Sequence, residues 1–192
     1  MMDNAHDHID NPEFQADMLE TLDETVGKMK GLIARLKNIK ETKQMKFVPC
    51  DLSEVVLRGV KDAGSPEMLV VKDRVPVCID ATEIEKVVHN LLLNAYDADA
   101  NRDAIAVEVG RNGMAFFEVS DDGRGMSEDF IRNRLFRPFQ STKSHGFGIG
   151  LYQCRHIVEA HGGKIEVLSK EGEGSTFRVS LPLADSQLAF SS

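Results

Sequence analysis

Two short runs of alternating apolar and polar residues, Ile105–Gly110 and Met114–Ser120, meet across Asn112-Gly113. Period-two alternation fits a half-buried strand, and Asn-Gly supplies the positive φ that a tight hairpin turn needs. A second pair, Lys164–Ser169 and Thr176–Leu181, flanks Glu171-Gly172-Glu173-Gly174 and reads the same way. Shorter strands are expected at Phe47–Pro49, and at Met68–Val71 and Val77–Ile79 around a turn. Helical patterns lie between them. Asp51–Asp62 is expected to be a helix capped by Asp51 or Ser53. Thr82 is expected to cap another that runs to about Ala98, with Ile84, Val87, Val88, Leu91, Leu92 and Ala95 on its apolar face. Ile149–His161 reads as a further helix. Hairpins mixed with helices predict an α/β (α+β) fold, a two-layer sandwich of a mixed or antiparallel sheet with helices on one face.

Ahead of this module, Pro12–Gln44 reads as one long helix. Asn11 is a good N-cap, Pro12 suits the first helical position, and Met18, Leu22, Thr25, Met29, Leu32, Leu36 and Ile39 form a heptad seam. Such a stripe needs cover from the module, a second helix or a second copy. The expected organisation is a leader and helix over residues 1–45, a compact domain over 46–184 and a loose tail over 185–192. A 192-residue chain that is 42% hydrophobic supports one sizeable core. Its formal charge of -8 speaks against nucleic acid and anionic membrane as partners. No apolar run approaches the roughly 18 residues that span a bilayer, and the acidic start is no signal peptide. Cys50, Cys78 and Cys154 form no CxxC pair and read as reduced, buried residues of a cytoplasmic protein.

Four local signals bear on chemistry. Asn90 and Asn94, in His89-Asn90-Leu91-Leu92-Leu93-Asn94-Ala95, share one helix face, and an amide oxygen suits a magnesium ion that also holds phosphates. Asp121-Asp122-Gly123-Arg124-Gly125-Met126 follows a strand; a carboxylate there can accept a hydrogen bond from an exocyclic amine such as that of adenine. Gly146-Phe147-Gly148-Ile149-Gly150-Leu151 opens a helix, where exposed amides suit phosphate. No strand leads directly into it, which excludes a Rossmann reading. Lys143 and Ser144 stand just ahead. Met126–His145, with Phe136, Pro138 and Phe139, reads as a mobile flap whose aromatics dock when the site closes. Gly172–Phe177, with Gly174-Ser175-Thr176, completes the set and is expected to bring the Thr176 hydroxyl near Asp121. Each signal alone also fits ordinary turns or solvated polar residues.

The order and spacing of all four resembles the ATP-binding domain shared by gyrases, Hsp90, the MutL mismatch-repair proteins and histidine kinases, over about Phe47–Leu183. In kinase terms these are the N, G1, F, G2 and G3 boxes. The resemblance implies an α/β sandwich that holds ATP between helices and flap. It implies that Asp121 binds the adenine amine, helped by Thr176 through water, and that Asn94 holds Mg2+. It further implies that Gly123 and Gly125 shape the adenine pocket with Met126 beside them. Gly146, Gly148 and Gly150 would line the phosphates, with Leu151 next and Lys143 as a nearby cation, and Phe136 and Phe139 match the F box.

In the hydrolysing branches of the family, a glutamate four residues before the magnesium asparagine activates water. Here that residue is Asn90, a neutral amide that cannot take a proton from water. This favours a kinase, a two-component protein-histidine kinase, over an ATPase or a serine kinase, and the intact glycine motifs and Asn94 argue against a non-catalytic ATP-binding dimerisation module. Asp97 departs from the basic residue many kinases have nearby. The long helix resembles the second helix of the kinase dimerisation hairpin, which implies a homodimer and a response regulator receiver domain as partners. Asn11-Pro12-Glu13-Phe14 resembles the start of that helix in membrane-anchored sensor kinases of the exosortase-linked type. His6 and His8 match the acceptor-histidine pattern only partially. His89, His145, His156 and His161 fall inside the ATP domain, so the acceptor is expected on a helix missing from this chain.

Overall fold

A computed structural model describes residues 15–23, 25–27, 45–63, 69–71, 74–98, 104–140 and 148–184. The chain divides into two compact units, Met1–Gln44 and Met45–Ser192. In the first, residues 15–23 and 25–27 are helical, with Met18, Leu19, Leu22 and Val26 exposed. Asn11, Met29, Leu32, Leu36, Ile39, His6 and His8 lie outside the described residues.

The second unit is built from two sheets and a helical layer. Strand β1 (Val48–Asp51) pairs antiparallel with β3 (Pro76–Ile79) as a two-stranded sheet. Five strands form the main sheet: β2 (Leu69–Val71), β4 (Ala106–Asn112), β5 (Met114–Asp121), β6 (Lys164–Lys170) and β7 (Gly174–Leu181), in the order β2-β4-β5-β7-β6. β2 runs parallel to β4 and the other pairs are antiparallel, so the sheet is mixed. The two short strands expected around a turn therefore join different sheets. Each has only three or four residues, too few to hold a hairpin on its own, and each pairs with a strand remote from the turn between them.

Helices α1 (Leu52–Asp62), α2 (Ala81–Tyr96), α3 (Glu128–Asn133) and α4 (Gly150–Ala160) supply the second layer. Asp51 caps α1, its carboxylate accepting from both the N–H and the hydroxyl of Ser53. Asp80 caps α2, which corrects the expectation for Thr82: the Asp80 carboxylate accepts the Glu83 N–H, and Thr82 already lies inside the helix. The helix ends at Tyr96 with Asp97 as C-cap, short of Ala98.

The core lies between α1, α2, α4 and one face of the main sheet. Val87, Val88, Leu91 and Leu92 meet Val107, Val109, Phe117, Val119, Phe177 and Val179, all buried. Full burial of each such side chain favours folding by about 1.5–3 kcal/mol. The other sheet face is closed locally. Arg178 stacks over the Phe116 ring, 3.8 Å from its centroid, and bonds Glu118 at 2.6 Å. Cys154 is fully buried, and burial pushes its thiol up to about 12. Among the described residues no helix is long and apolar enough to cross a membrane.

Candidate nucleotide site

Asp121 ends β5 on the helix-facing side, the phase of Phe117 and Val119. Its carboxylate accepts the Gly123 N–H at 2.9 Å and a second bond from the Ser175 backbone. Burial, with a smaller push from the neighbouring Asp122 carboxylate, holds its pKa above the ordinary carboxylate range. A half-buried carboxylate with unused lone pairs at a strand end is a good acceptor for a ligand amine.

The hydroxyl expected beside it belongs to a different residue. β5 and β7 pair Asp121 with Ser175 and Ser120 with Thr176. The Thr176 hydroxyl lies 3.0 Å from that of Ser120, on the sheet face away from the helices. Ser175 is buried on the Asp121 side and bonds Ser169 at 3.0 Å. The phase was readable in the chain: Phe177, Val179 and Leu181 are apolar, so Ser175 shares their face and Thr176 shares that of Arg178 and Ser180.

The loop after Asp121 is fastened on both sides. Arg124 donates its N–H to Ala98 O at 2.9 Å, and its carbonyl accepts the Gly172 N–H at 2.8 Å. Gly125 sits at φ 64, and a Cβ there would lie 1.9 Å from Lys170 O. A Cβ on Gly123 would lie 2.5 Å from Ala98 O. These glycines thus let backbone meet backbone within the protein. Met126 is partly buried against the core.

The flap expectation is corrected over its first half. Ser127 caps α3 through the Phe130 N–H, Leu135 is buried, and Phe136 packs partly against the core with the Arg155 guanidinium 5.8 Å over its ring. The Phe136 ring thus has core to cover. Phe139 is 54% exposed with φ 65, and its N–H donates to Gly148 O at 3.0 Å. Lys143 and Gly146 lie outside the described residues.

Gly148 and Gly150 lead into α4, whose N-cap Ile149 makes no side-chain capping bond and whose first amides have no partner within the helix. Asn90 faces this end. Its Nδ2 donates to Lys86 O at 2.9 Å, and its Oδ1 would lie 3.2 Å from a Cβ on Gly150. Asn94 is half-buried one turn on. The carboxylates of the same helix are engaged, Glu83 with Lys86 and Glu85 with Arg58. A groove of about 390 Å³ beside Asn90 is walled by Thr82, Lys86 and His89 of α2 and by parts of α1 and α4. Among the described residues no cluster of three His, Cys, Asp or Glu side chains could hold a metal ion. The donors present are neutral amides, which suits a magnesium ion that takes most of its ligands from phosphate and water.

Residues 79–185 match the family described as histidine kinase-, DNA gyrase B-, and HSP90-like ATPase. The chain is 31% identical over 161 residues to the sensor histidine kinase ZraS of Escherichia coli, covering 79% of this chain and 34% of that protein. It is 34% identical over 191 residues to the C4-dicarboxylate transport sensor protein DctS of Rhodobacter capsulatus, covering 91% of this chain and 29% of that protein. The chain thus spans about a third or less of the curated relatives it matches. The fold is that of a mycobacterial sensor histidine kinase, MprB, with a TM-score of 0.63 at 22% identity over 72% of this chain and 98% of that one. The chain belongs to the histidine kinase-, DNA gyrase B- and HSP90-like ATPase family, and its folded module is an ATP-binding catalytic domain of the sensor histidine kinase type.

Proposed function

We propose that this module transfers the γ-phosphate of ATP to a histidine presented on a separate helix, as the catalytic part of a two-component sensor kinase. The observation that carries this reading is Asn90. It stands at the uncapped end of α4, where a hydrolase of this family would place a general base, and its amide cannot take a proton from water. Glu83 and Glu85 are held in ion pairs of their own. Water near the phosphate end would therefore go unactivated, and the γ-phosphate would keep for a better nucleophile.

In this reading Asp121 accepts the adenine amine, with Ser175 beside it. The amides at Gly148, Gly150 and Leu151 hold phosphate oxygens, joined by Gly146 and by Lys143 as a cation. Asn94 would hold Mg2+, which neutralises phosphate charge when bound. The groove beside Asn90 is the open side from which an acceptor imidazole would approach to the roughly 3–3.5 Å that in-line attack needs. The helix over residues 12–44 would be the second helix of a dimerisation hairpin, with a receiver domain of a response regulator as the later phosphate acceptor.

The test supplies the purified chain and radiolabelled ATP with a separately made acceptor helical hairpin. Acid-labile label on the hairpin is expected, with little free phosphate released. Steady phosphate release with no label on the hairpin would place the chain with the hydrolysing branches instead.

A further inference from the structure

His161 closes α4, is 2% exposed, and uses both ring nitrogens. Nδ1 lies 2.7 Å from the Ile157 carbonyl, which can only accept, so Nδ1 carries the proton. Nε2 is then the acceptor, and it takes the Asp80 backbone N–H at 3.0 Å. Asp80 is the cap of α2, and its carboxylate also accepts the Lys46 N–H at 2.9 Å. The Phe47 ring lies against the imidazole, with centroids 5.0 Å apart. Three segments remote in sequence therefore meet at one imidazole: the end of α4, the start of α2, and the residues by which the chain joins the module.

If only volume mattered here, an apolar side chain would fill the site without polar atoms to satisfy. The bond between Nε2 and the Asp80 N–H does something packing does not: it joins α4 to the start of α2, while the Nδ1 bond stays within α4 and holds the ring in the orientation that makes this possible. An 11-residue helix is a rod about 16 Å long, so a shift at His161 is carried to Gly150. α2, on the other side of the bond, carries Asn90 and Asn94. The His161–Asp80 bond thus sets the register between the helices on either side of the phosphate end.

We propose that His161 is a positioning residue: through Asp80 it fixes where the amino end of α4 stands against α2, and it ties that position to Lys46. The inference rests on the reading of that end of α4 as the phosphate-binding end. The adenine side of the site, Asp121 and Ser175, is carried by β5 and β7 instead. The two parts of a nucleotide therefore report on different elements.

The experiment titrates ADP and AMP calorimetrically into the full chain and two variants. His161→Asn keeps a donor for the Ile157 carbonyl but is too short to reach the Asp80 N–H. His161→Gln places an acceptor where Nε2 stands. His161→Asn is expected to weaken ADP about tenfold while AMP stays within about twofold, and His161→Gln to keep ADP within about threefold. Equal loss of both nucleotides, or a glutamine variant as weak for ADP as the asparagine one, would reduce His161 to a stability role. An unmodified chain that binds neither nucleotide would sink the site reading itself, and the joint with it. Amide exchange needs no variant: ADP, and not AMP, should slow exchange of the Lys46 N–H, and an unchanged rate with ADP overturns the proposed tie.

Discussion

Asp121 sets function against stability within a single carboxylate. Its charge is half-buried and stands beside that of Asp122, so the ionised form is disfavoured in the folded chain. A folded pKa above the unfolded value means that ionisation costs stability above it, and that the cost is relieved as pH falls through it. Asp121→Asn keeps an oxygen for the Gly123 and Ser175 N–H groups. It should therefore melt at the same temperature as the parent or higher while binding ADP roughly tenfold to a hundredfold more weakly, the loss of a charge-assisted bond of about 1.5–3 kcal/mol. Calorimetry and thermal melts on the two proteins check both halves. Because protonation starts at a higher pH than for an exposed aspartate, nucleotide affinity should begin to fall just above the ordinary carboxylate range as pH is lowered. Ser175→Ala should weaken ADP more than Thr176→Val, since only Ser175 shares the Asp121 face. The motif made Asp121 conspicuous in the sequence. The choice of Ser175 over Thr176 needed the strand phase, which the apolar residues that follow encode and the motif does not.

At the scale of elements, the turns are more exacting than the strands they join. Gly125 and Gly172 both have positive φ, but a Cβ on Gly125 meets Lys170 O at 1.9 Å whereas one on Gly172 meets nothing within 4 Å. Gly172→Ala should cost about 1–2 kcal/mol for the left-handed conformation alone. Gly125→Ala must also push two backbones apart, and should cost more than about 3 kcal/mol in urea unfolding or prevent folding. Similar costs at the two positions would refute the close approach. Helices and long hairpins were legible because each is specified by its own residues: Ile84 to Ala95 by spacing, Ile105 to Ser120 by alternation. The destinations of β2 and β3 were not, because a three- or four-residue strand is placed by partners distant in sequence. The flap was misread over Ser127–Phe136 because one capped turn of helix and one docked ring look, in sequence, like any polar loop.

For the whole molecule, the division after Gln44 gives the second unit its own core. A chain beginning at Met45 should unfold cooperatively within about 3 °C of the full chain, a stability difference under roughly 1 kcal/mol, and bind ADP equally well. A chain beginning at Val48 lacks the Lys46 N–H that Asp80 accepts and the Phe47 ring that lies against His161, and should bind ADP more weakly. A scanning calorimeter and an ADP titration on both truncations decide the matter.

The join between β5 and β7 also has a bearing on time. The hairpins β4–β5 and β6–β7 each close over a few residues, but Glu118 and Arg178 are 60 apart in the chain. Their meeting has to wait for a long loop to close, the slow class of event in folding. Asp121 and Ser175 are brought together by that same join. The adenine half of the site should therefore form only after the two hairpins that carry it. During refolding, nucleotide binding should lag behind the appearance of helical circular dichroism, and a bound nucleotide should slow unfolding while leaving the early folding rate unchanged.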